Sequence, residues 1–307
     1  MKSLVTGATG FVGGYLLRRL EPPVILTRDP EKAQARLGEK ISRAVRWDAE
    51  REAPPVEAFA GVDTVFHLAG DPVAEGRWTK AKKARIRDSR ILGTRHLVDA
   101  LAAASDRPKT LVSASAVGYY GDRGDEMLDE RSEPGSDFLT EVCIGWEREA
   151  ARAAQYGVRV VSLRIGVILG AGGGALSKML PLFKLGLGGR LGSGKQWTPW
   201  VHVEDVVGLM LHAAEKNDVS GAVNATAPHP VTNRELTREI AAAVHRPAFL
   251  PVPALALRLA AGEFAQVLLG SQRVIPRIAE QTGYRFAYPA LAPALAEIVA
   301  GGSRNRQ

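Results

Sequence analysis

Residues 3–6, Ser-Leu-Val-Thr, form a short β-rich run that passes directly into Gly7-Ala8-Thr9-Gly10-Phe11-Val12-Gly13, and a helix-like stretch follows over residues 11–20. A strand, a tight glycine loop and a helix in immediate succession leave few folds open. In the G-x-x-G-x-x-G spacing each glycine has its own task. Gly7 lets the chain turn sharply, Gly10 lets backbone amides approach a pyrophosphate at the helix N-terminus, and Gly13 lets the helix pack on the strand. The expectation is a dinucleotide seated on Gly7, Thr9, Gly10, Phe11, Val12 and Gly13.

The pattern then repeats. Further β-rich runs appear at residues 24–27, 64–68, 110–113 and 158–164, mostly continuous in apolar residues, as in strands buried on both faces of a parallel sheet. Helical stretches at 80–104 and 138–155 lie between them. Strand–helix alternation predicts the α/β class, with a Rossmann-type doubly wound parallel sheet. The alternation weakens after Gly170, where Gly172-Gly173-Gly174 opens a region of helices (203–215, 233–244) and proline-punctuated loops. Residues 1–170 are therefore expected to form the dinucleotide-binding domain, with part of 195–225 returning to it. Residues 171–300 are expected to form mainly a smaller substrate-side lobe, and 301–307 a flexible tail.

The cofactor is chosen at the end of the second strand. A carboxylate there binds the ribose 2′-hydroxyl of NAD, but here the run ends Leu26-Thr27-Arg28. A hydroxyl and a guanidinium suit the extra 2′-phosphate of NADP, so NADP is favoured over NAD. Asp29 is the counter-argument; it also fits as the N-cap of a helix starting at Pro30.

Charge narrows the partners. The 307 residues carry 40 Lys+Arg against 33 Asp+Glu, a net +7. The whole excess equals that of residues 77–95, where Arg77, Lys80, Lys82, Lys83, Arg85, Arg87, Arg90 and Arg95 face only Asp88. One basic segment beside the expected cleft points to a small anionic ligand and not to nucleic acid, with Arg90 and Arg85 the candidates to turn inward. No apolar run approaches the roughly 18 residues of a span, so no membrane partner is expected. Cys143 is alone and the N-terminus breaks at Gly7 before any signal-like region, which together predict a cytoplasmic protein without disulfides. The six histidines show no metal-ligand spacing, and no metal is expected.

Several segments resemble the extended short-chain dehydrogenase/reductase superfamily: residues 7–13, Phe66-His67-Leu68-Ala69-Gly70, Gly93-Thr94, Val112-Ser113-Ala114-Ser115 and Trp200-Val201-His202-Val203-Glu204-Asp205. More narrowly the chain is similar to the YfcH-like "epimerase family" proteins, through Arg77-Trp78-Thr79, Arg87-Asp88-Ser89-Arg90, residues 113–121 (SASAVGYYG), Asp137-Phe138-Leu139, Trp146-Glu147, residues 185–194 (LGLGGRLGSG), Asn224-Ala225-Thr226-Ala227-Pro228 and Gln272-Arg273-Val274-Ile275-Pro276. The resemblance implies that Leu68 and Ala69 line the adenine side, that Gly70 next to them belongs to the cofactor site and that Asp48 meets the adenine amine. It places Ser115 at the position of the catalytic Ser. Superfamily chemistry uses a Tyr-x-x-x-Lys pair in which the lysine lowers the tyrosine pKa. The aligned positions here are Leu139 and Cys143, and the chain has no Tyr-x-x-x-Lys. Tyr119 and Tyr120, just beyond Ser115, are the candidate substitutes. Arg90 stands where ordinary members carry an Asn.

Residues 189–195 fit the spacing of a phosphate-binding P-loop, but Gln196 replaces the Ser/Thr that would hold Mg²⁺; Arg190 and Lys195 there are weak candidates for a substrate's phosphates. The expected activity is an NADP(H)-dependent epimerase or reductase on a nucleotide-sugar-like or other small substrate. The alternative is a non-catalytic NADP(H)-binding or sensing protein.

Overall fold

The computed structural model describes residues 1–304. Seven strands build the central sheet: β1 (Ser3–Thr6), β2 (Val24–Thr27), β3 (Arg43–Arg46), β4 (Thr64–His67), β5 (Thr110–Ala116), β6 (Arg159–Ile165) and β7 (Gly221–Ala225). All pairings are parallel, in the order β7-β6-β5-β4-β1-β2-β3. The order reverses between β1 and β4, and open α/β sheets bind ligands at the carboxyl ends beside such a reversal.

Neighbouring residues of each strand feed opposite faces, as the pleat requires. Val5, Phe66, Val112 and Val161 pack on one side and Leu4, Val65, Leu111 and Val160 on the other. The first face is covered by α1 (Phe11–Leu16) and α6 (Val203–Glu215), the second by α3 (Lys80–Ala103) and α4 (Phe138–Ala151). Truncating a fully buried ring such as Phe66 to alanine would cost about 3–5 kcal/mol. Helix starts are set by side chains: Thr79 accepts from Lys82 N and Asp137 from Thr140 N, so α3 and α4 begin where their caps stand.

β3 belongs to none of the apolar runs. Its sequence Arg-Ala-Val-Arg is half-exposed, because an edge strand needs little apolar surface. The expected helix from Phe11 is α-helical only to Leu16, and the segment to Leu20 continues as turns.

A second cluster lies beyond Gly170. The strand Val167–Gly170 pairs with Trp200–His202, and around them pack α5 (Gly174–Lys184), α7 (Asn233–Ala243) and the C-terminal helix Leu291–Arg304. The helices Ala254–Ala261, here α8, and Ala265–Leu269 form a flank of this lobe. Residues 172–174 are not an open linker, because Phe11 lies against Gly170, Gly173 and Gly174 and no side chain could stand there. Of the expected flexible tail, residues 301–304 are the last turn of the C-terminal helix, and 305–307 lie outside the described residues. No helix among the described residues is long and apolar enough to cross a membrane.

Candidate functional site

The glycine loop is built by close approach. Gly7 has φ +68°, and a Cβ there would lie 2.8 Å from the carbonyl carbon of Leu68. At Gly13 a Cβ would meet the Gly7 oxygen at 2.4 Å, so the helix and the turn after β1 touch through backbone alone. The N-cap Gly10 brings no side chain to the first amides of α1, and no acidic residue stands in that turn. Those amides are thus open to an anion, and the cradle fits a dinucleotide pyrophosphate. Thr9 and Val12 lie half-exposed in this turn. The Phe11 side chain departs from the expectation: its ring is spent on Gly170–Gly174 and on Tyr15, 5.5 Å between centroids, so only its backbone is left to the loop.

A buried latch fixes the loop opposite. The Thr6 hydroxyl accepts from the amides of Leu68 and Ala69, both at 3.0 Å, and lies 2.8 Å from His67 Nδ1. With both amides donating to it, the hydroxyl gives its proton to Nδ1, and His67 Nε2–H then donates to Thr94 Oγ1 at 2.9 Å. Burial, aided by the nearby Arg90 charge, pushes the His67 imidazolium down to about 3. His67 is structural. Leu68, Ala69 and the exposed Gly70 are thereby presented at the switch point.

At the ends of β2 and β3, Asp29 is committed to the helix. Its Oδ1 accepts from Lys32 N at 3.0 Å and caps α2 (Pro30–Leu37). Thr27 Oγ1 accepts from Asp29 N, and Arg28 is exposed. The register pairs Thr27 with Arg46, which brings a second guanidinium to the same place. Among the described residues neither Arg28 nor Arg46 makes a side-chain hydrogen bond or ion pair. Sequence reasoning missed Arg46 because it missed β3. Asp48, just beyond, accepts from Glu50 N and lies 3.4 Å from Arg51.

The third group sits on β5, β6 and β7. Register places Ser115, Arg164 and Asn224 in one row across these strands. Ser115 Oγ donates to Glu147 Oε1 at 2.6 Å, and Arg164 grips both oxygens of that carboxylate from Nε and Nη2 at 2.8 Å. Arg164 Nη1 also donates to the Tyr120 hydroxyl at 3.0 Å, which donates on to Asn224 Oδ1 at 2.7 Å. The Arg164 guanidinium covers the Tyr119 ring, 3.4 Å from its centroid. Burial lowers the proton affinity of Arg164, but the hydrogen bonds and charge of Glu147 together with the Tyr120 hydroxyl outweigh it and hold the cation charged.

This corrects Tyr120 as a candidate acid/base. It is fully buried, both sides of its hydroxyl are engaged, and burial pushes the phenol up to about 12. Tyr119 is half-buried beneath Arg164. At the position aligned with the family's lysine, burial and the Glu147 charge push the Cys143 thiol up to about 12, and its Sγ faces the Ala116 carbonyl. Leu139 packs beside Gly118.

Arg90 turns inward as expected. Nη1 donates to the carbonyls of Asp71 and Ile86, the guanidinium lies over Gly70, and the Trp146 ring stands 5.1 Å away. Its Nε and Nη2 have no protein acceptor among the described residues. Arg85 is corrected: it is exposed and reaches only the rim, 3.9 Å from Asp71. The buried partner of Asp71 is Lys82, which was not among the residues expected to turn inward. In the 189–195 loop, Arg190 folds back on the carbonyls of Gly192 and Ser193, and Lys195 is exposed.

A family model described as the NAD dependent epimerase/dehydratase family matches residues 3–225, and a domain of unknown function (DUF1731) matches residues 252–298. The chain is 41% identical over 301 residues to the epimerase family protein SDR39U1 homolog, chloroplastic, of Arabidopsis thaliana, covering 96% of this chain and 86% of that one. It is 37% identical over 305 residues to the epimerase family protein YfhF of Bacillus subtilis, covering 98% of both. The crystal structure of the human epimerase family protein SDR39U1 with NADPH is similar at a TM-score of 0.87 and 35% identity, covering 98% of this chain and 99% of that one.

Proposed function

The chain belongs to the NAD dependent epimerase/dehydratase family, and from that premise we propose that it is an NADP(H)-dependent oxidoreductase or epimerase acting on a small anionic, nucleotide-sugar-like substrate. The observation that carries the cofactor choice is the commitment of Asp29 to the α2 cap, which leaves Arg28 and Arg46 as the charges beside Thr27. Two guanidiniums suit a 2′-phosphate, and a carboxylate already bonded to a backbone amide is a poor partner for a 2′-hydroxyl. The NADPH in the human relative agrees with this reading.

Bound NADP(H) supplies hydride-transfer chemistry. Residues 7–13 hold the pyrophosphate, and Leu68, Ala69, Gly70 and Asp48 flank the adenine. Residues 1–170 do the cofactor binding, and the lobe of 171–300 selects substrate. Ser115 gives its proton to Glu147, so its oxygen is turned toward a substrate hydroxyl as an acceptor. Arg90, with two unused donor groups beside Gly70, takes a phosphate, carboxylate or hydroxyl.

One observation favours a second reading, a non-catalytic NADP(H) sensor: Leu139 and a thiol pushed up to about 12 stand where the family's acid/base pair is expected. The test is NADPH and NADH titration of the Arg28→Ala and Arg46→Ala proteins, followed by NADPH oxidation over a panel of carbonyl and nucleotide-sugar substrates. Each substitution should weaken NADPH by about tenfold or more and leave NADH almost unchanged; equal losses sink the 2′-phosphate assignment. Turnover abolished by Ser115→Ala supports the enzyme. Tight NADPH binding with silence over the whole panel supports the sensor.

A further inference from the structure

Large apolar side chains that face water gather on one flank of the second lobe. Leu185 and Leu187 follow α5, Phe249 and Leu250 precede α8, and Leu255 and Leu259 stand one turn apart on α8. Phe249 is 76% exposed, Leu185 72% and Leu259 70%. The two stretches are stitched into one surface. Arg246 Nε donates to the Lys184 carbonyl, Val252 N to Arg190 O at 2.8 Å, and Gly192 N to Val252 O at 2.9 Å. α8 does not bury Leu255 and Leu259 elsewhere. It seats Ala254, Leu257 and Ala261 half-buried, at helical spacing, and turns Leu255 and Leu259 outward.

The two stretches that form this surface are rich in cations, and the carboxylates Glu263 and Asp125 stand at its borders. Residues 174–203 and 240–262 contain no Asp or Glu, while Lys178, Lys184, Arg190, Lys195, Arg246 and Arg258 are all cationic. A monomer seldom exposes such an apolar group without a partner. A second copy is a poor one, because a two-fold contact would set this cation-rich face against itself. A surface that is apolar beneath and anionic above satisfies both features, with leucines and a phenylalanine at the headgroup boundary and cations over the phosphates.

We propose that this flank docks on the surface of an anionic phospholipid bilayer. The contact is peripheral and needs no spanning helix. Docking also reaches the site: Arg77 Nη2 donates to Leu259 O at 2.8 Å and Lys178 Nζ to Ala74 O at 2.8 Å, tying the docking flank to the loop that leads from Asp71 to α3. The proposal does not depend on the cofactor assignment.

The test uses the full chain with NADPH present and sedimentation with vesicles of phosphatidylcholine alone or of equal parts phosphatidylcholine and phosphatidylglycerol. The protein should pellet with the anionic vesicles, stay in solution with the neutral ones and be released by salt. The variant Phe249→Ser/Leu255→Ser/Leu259→Ser should lower the partition about tenfold or more, with an unchanged urea midpoint and unchanged NADPH affinity. Lys184→Glu/Arg258→Glu should do the same and stands in if the first variant fails to fold. No pelleting with anionic vesicles, or equal pelleting by wild type and both variants, overturns the proposal. A dimer in sedimentation equilibrium that the serine variant dissolves, without vesicle binding, also overturns it and assigns the face to a second copy.

Discussion

Ser115 and Arg164 face each other in the register of adjacent strands and share one carboxylate, Ser115 through a 2.6 Å hydrogen bond to Glu147 Oε1 and Arg164 through a fork to both oxygens. The Arg164 and Glu147 side chains are only 5% and 15% exposed, so neither charge can be left alone cheaply. Arg164→Met is expected to cost about 3–5 kcal/mol of stability, because it strands a buried carboxylate. The double variant Glu147→Gln/Arg164→Met should recover a large part of that loss. A urea-unfolding cycle of the four proteins measures the coupling; simple additivity would show that the pair contributes nothing as a unit.

Tyr120 sits on the other side of the same arginine. Tyr120→Phe removes a donor to Asn224 and an acceptor for Arg164, which predicts a loss of about 1–3 kcal/mol in urea unfolding. A phenol this buried, with its proton held up to about 12, takes no part in proton transfer near neutral pH. Turnover should therefore survive Tyr120→Phe at temperatures where the variant is folded and fall by about tenfold or more with Ser115→Ala. The reverse order would return Tyr120 to the reaction.

His67 makes stability depend on pH in a defined direction. In the unfolded chain its imidazole takes a proton below about pH 6.5, whereas in the fold burial and then Arg90 hold protonation down to about 3. Between these values the unfolded state binds more protons. The His67 contribution is complete above about pH 6.5 and is lost as pH falls toward 3, at up to about 1.4 kcal/mol per pH unit. Unfolding free energies measured from pH 4 to 7 should show this slope in wild type and a slope shallower by one proton in His67→Gln. Equal slopes would place the proton uptake on other groups.

The legible parts of the molecule were those that physics writes locally. The β1 run and its glycines fix a turn and a close helix contact within a dozen residues, and the structure repeats both. β3 escaped because an edge strand with Arg at both ends has no apolar run to show, and Arg46 escaped with it. Arg164 did carry a signal: of the two arginines in the run of residues 158–164, Arg159 stands at its start, whereas Arg164 follows the apolar stretch directly and must be paired if buried. Its partner Glu147 lies on another element, and no spacing rule connects the two. Helix geometry alone could have separated Arg85 from Arg90, since five residues turn a helix by about 140° from the starting face. Only Arg90 looks into the cleft.

The segment around Gly170–Gly174 meets the glycine loop through Phe11, which gives the last prediction. A Cβ at Gly173 would lie 2.2 Å from Phe11 Cδ2, while one at Gly172 would meet nothing within 4 Å. Gly172 carries φ +79°, so Gly172→Ala costs backbone strain alone, about 1–2 kcal/mol. Gly173 has extended backbone, so Gly173→Ala costs through overpacking, about 1–3 kcal/mol. The totals overlap, but the consequences differ. Only the second substitution displaces Phe11, the first residue of α1, and with it the amides after Gly10. Gly173→Ala is therefore expected to weaken NADPH several-fold, and Gly172→Ala to leave it unchanged at similar stability. Matched urea midpoints with matched NADPH affinities would show that the glycine-loop geometry does not depend on this contact.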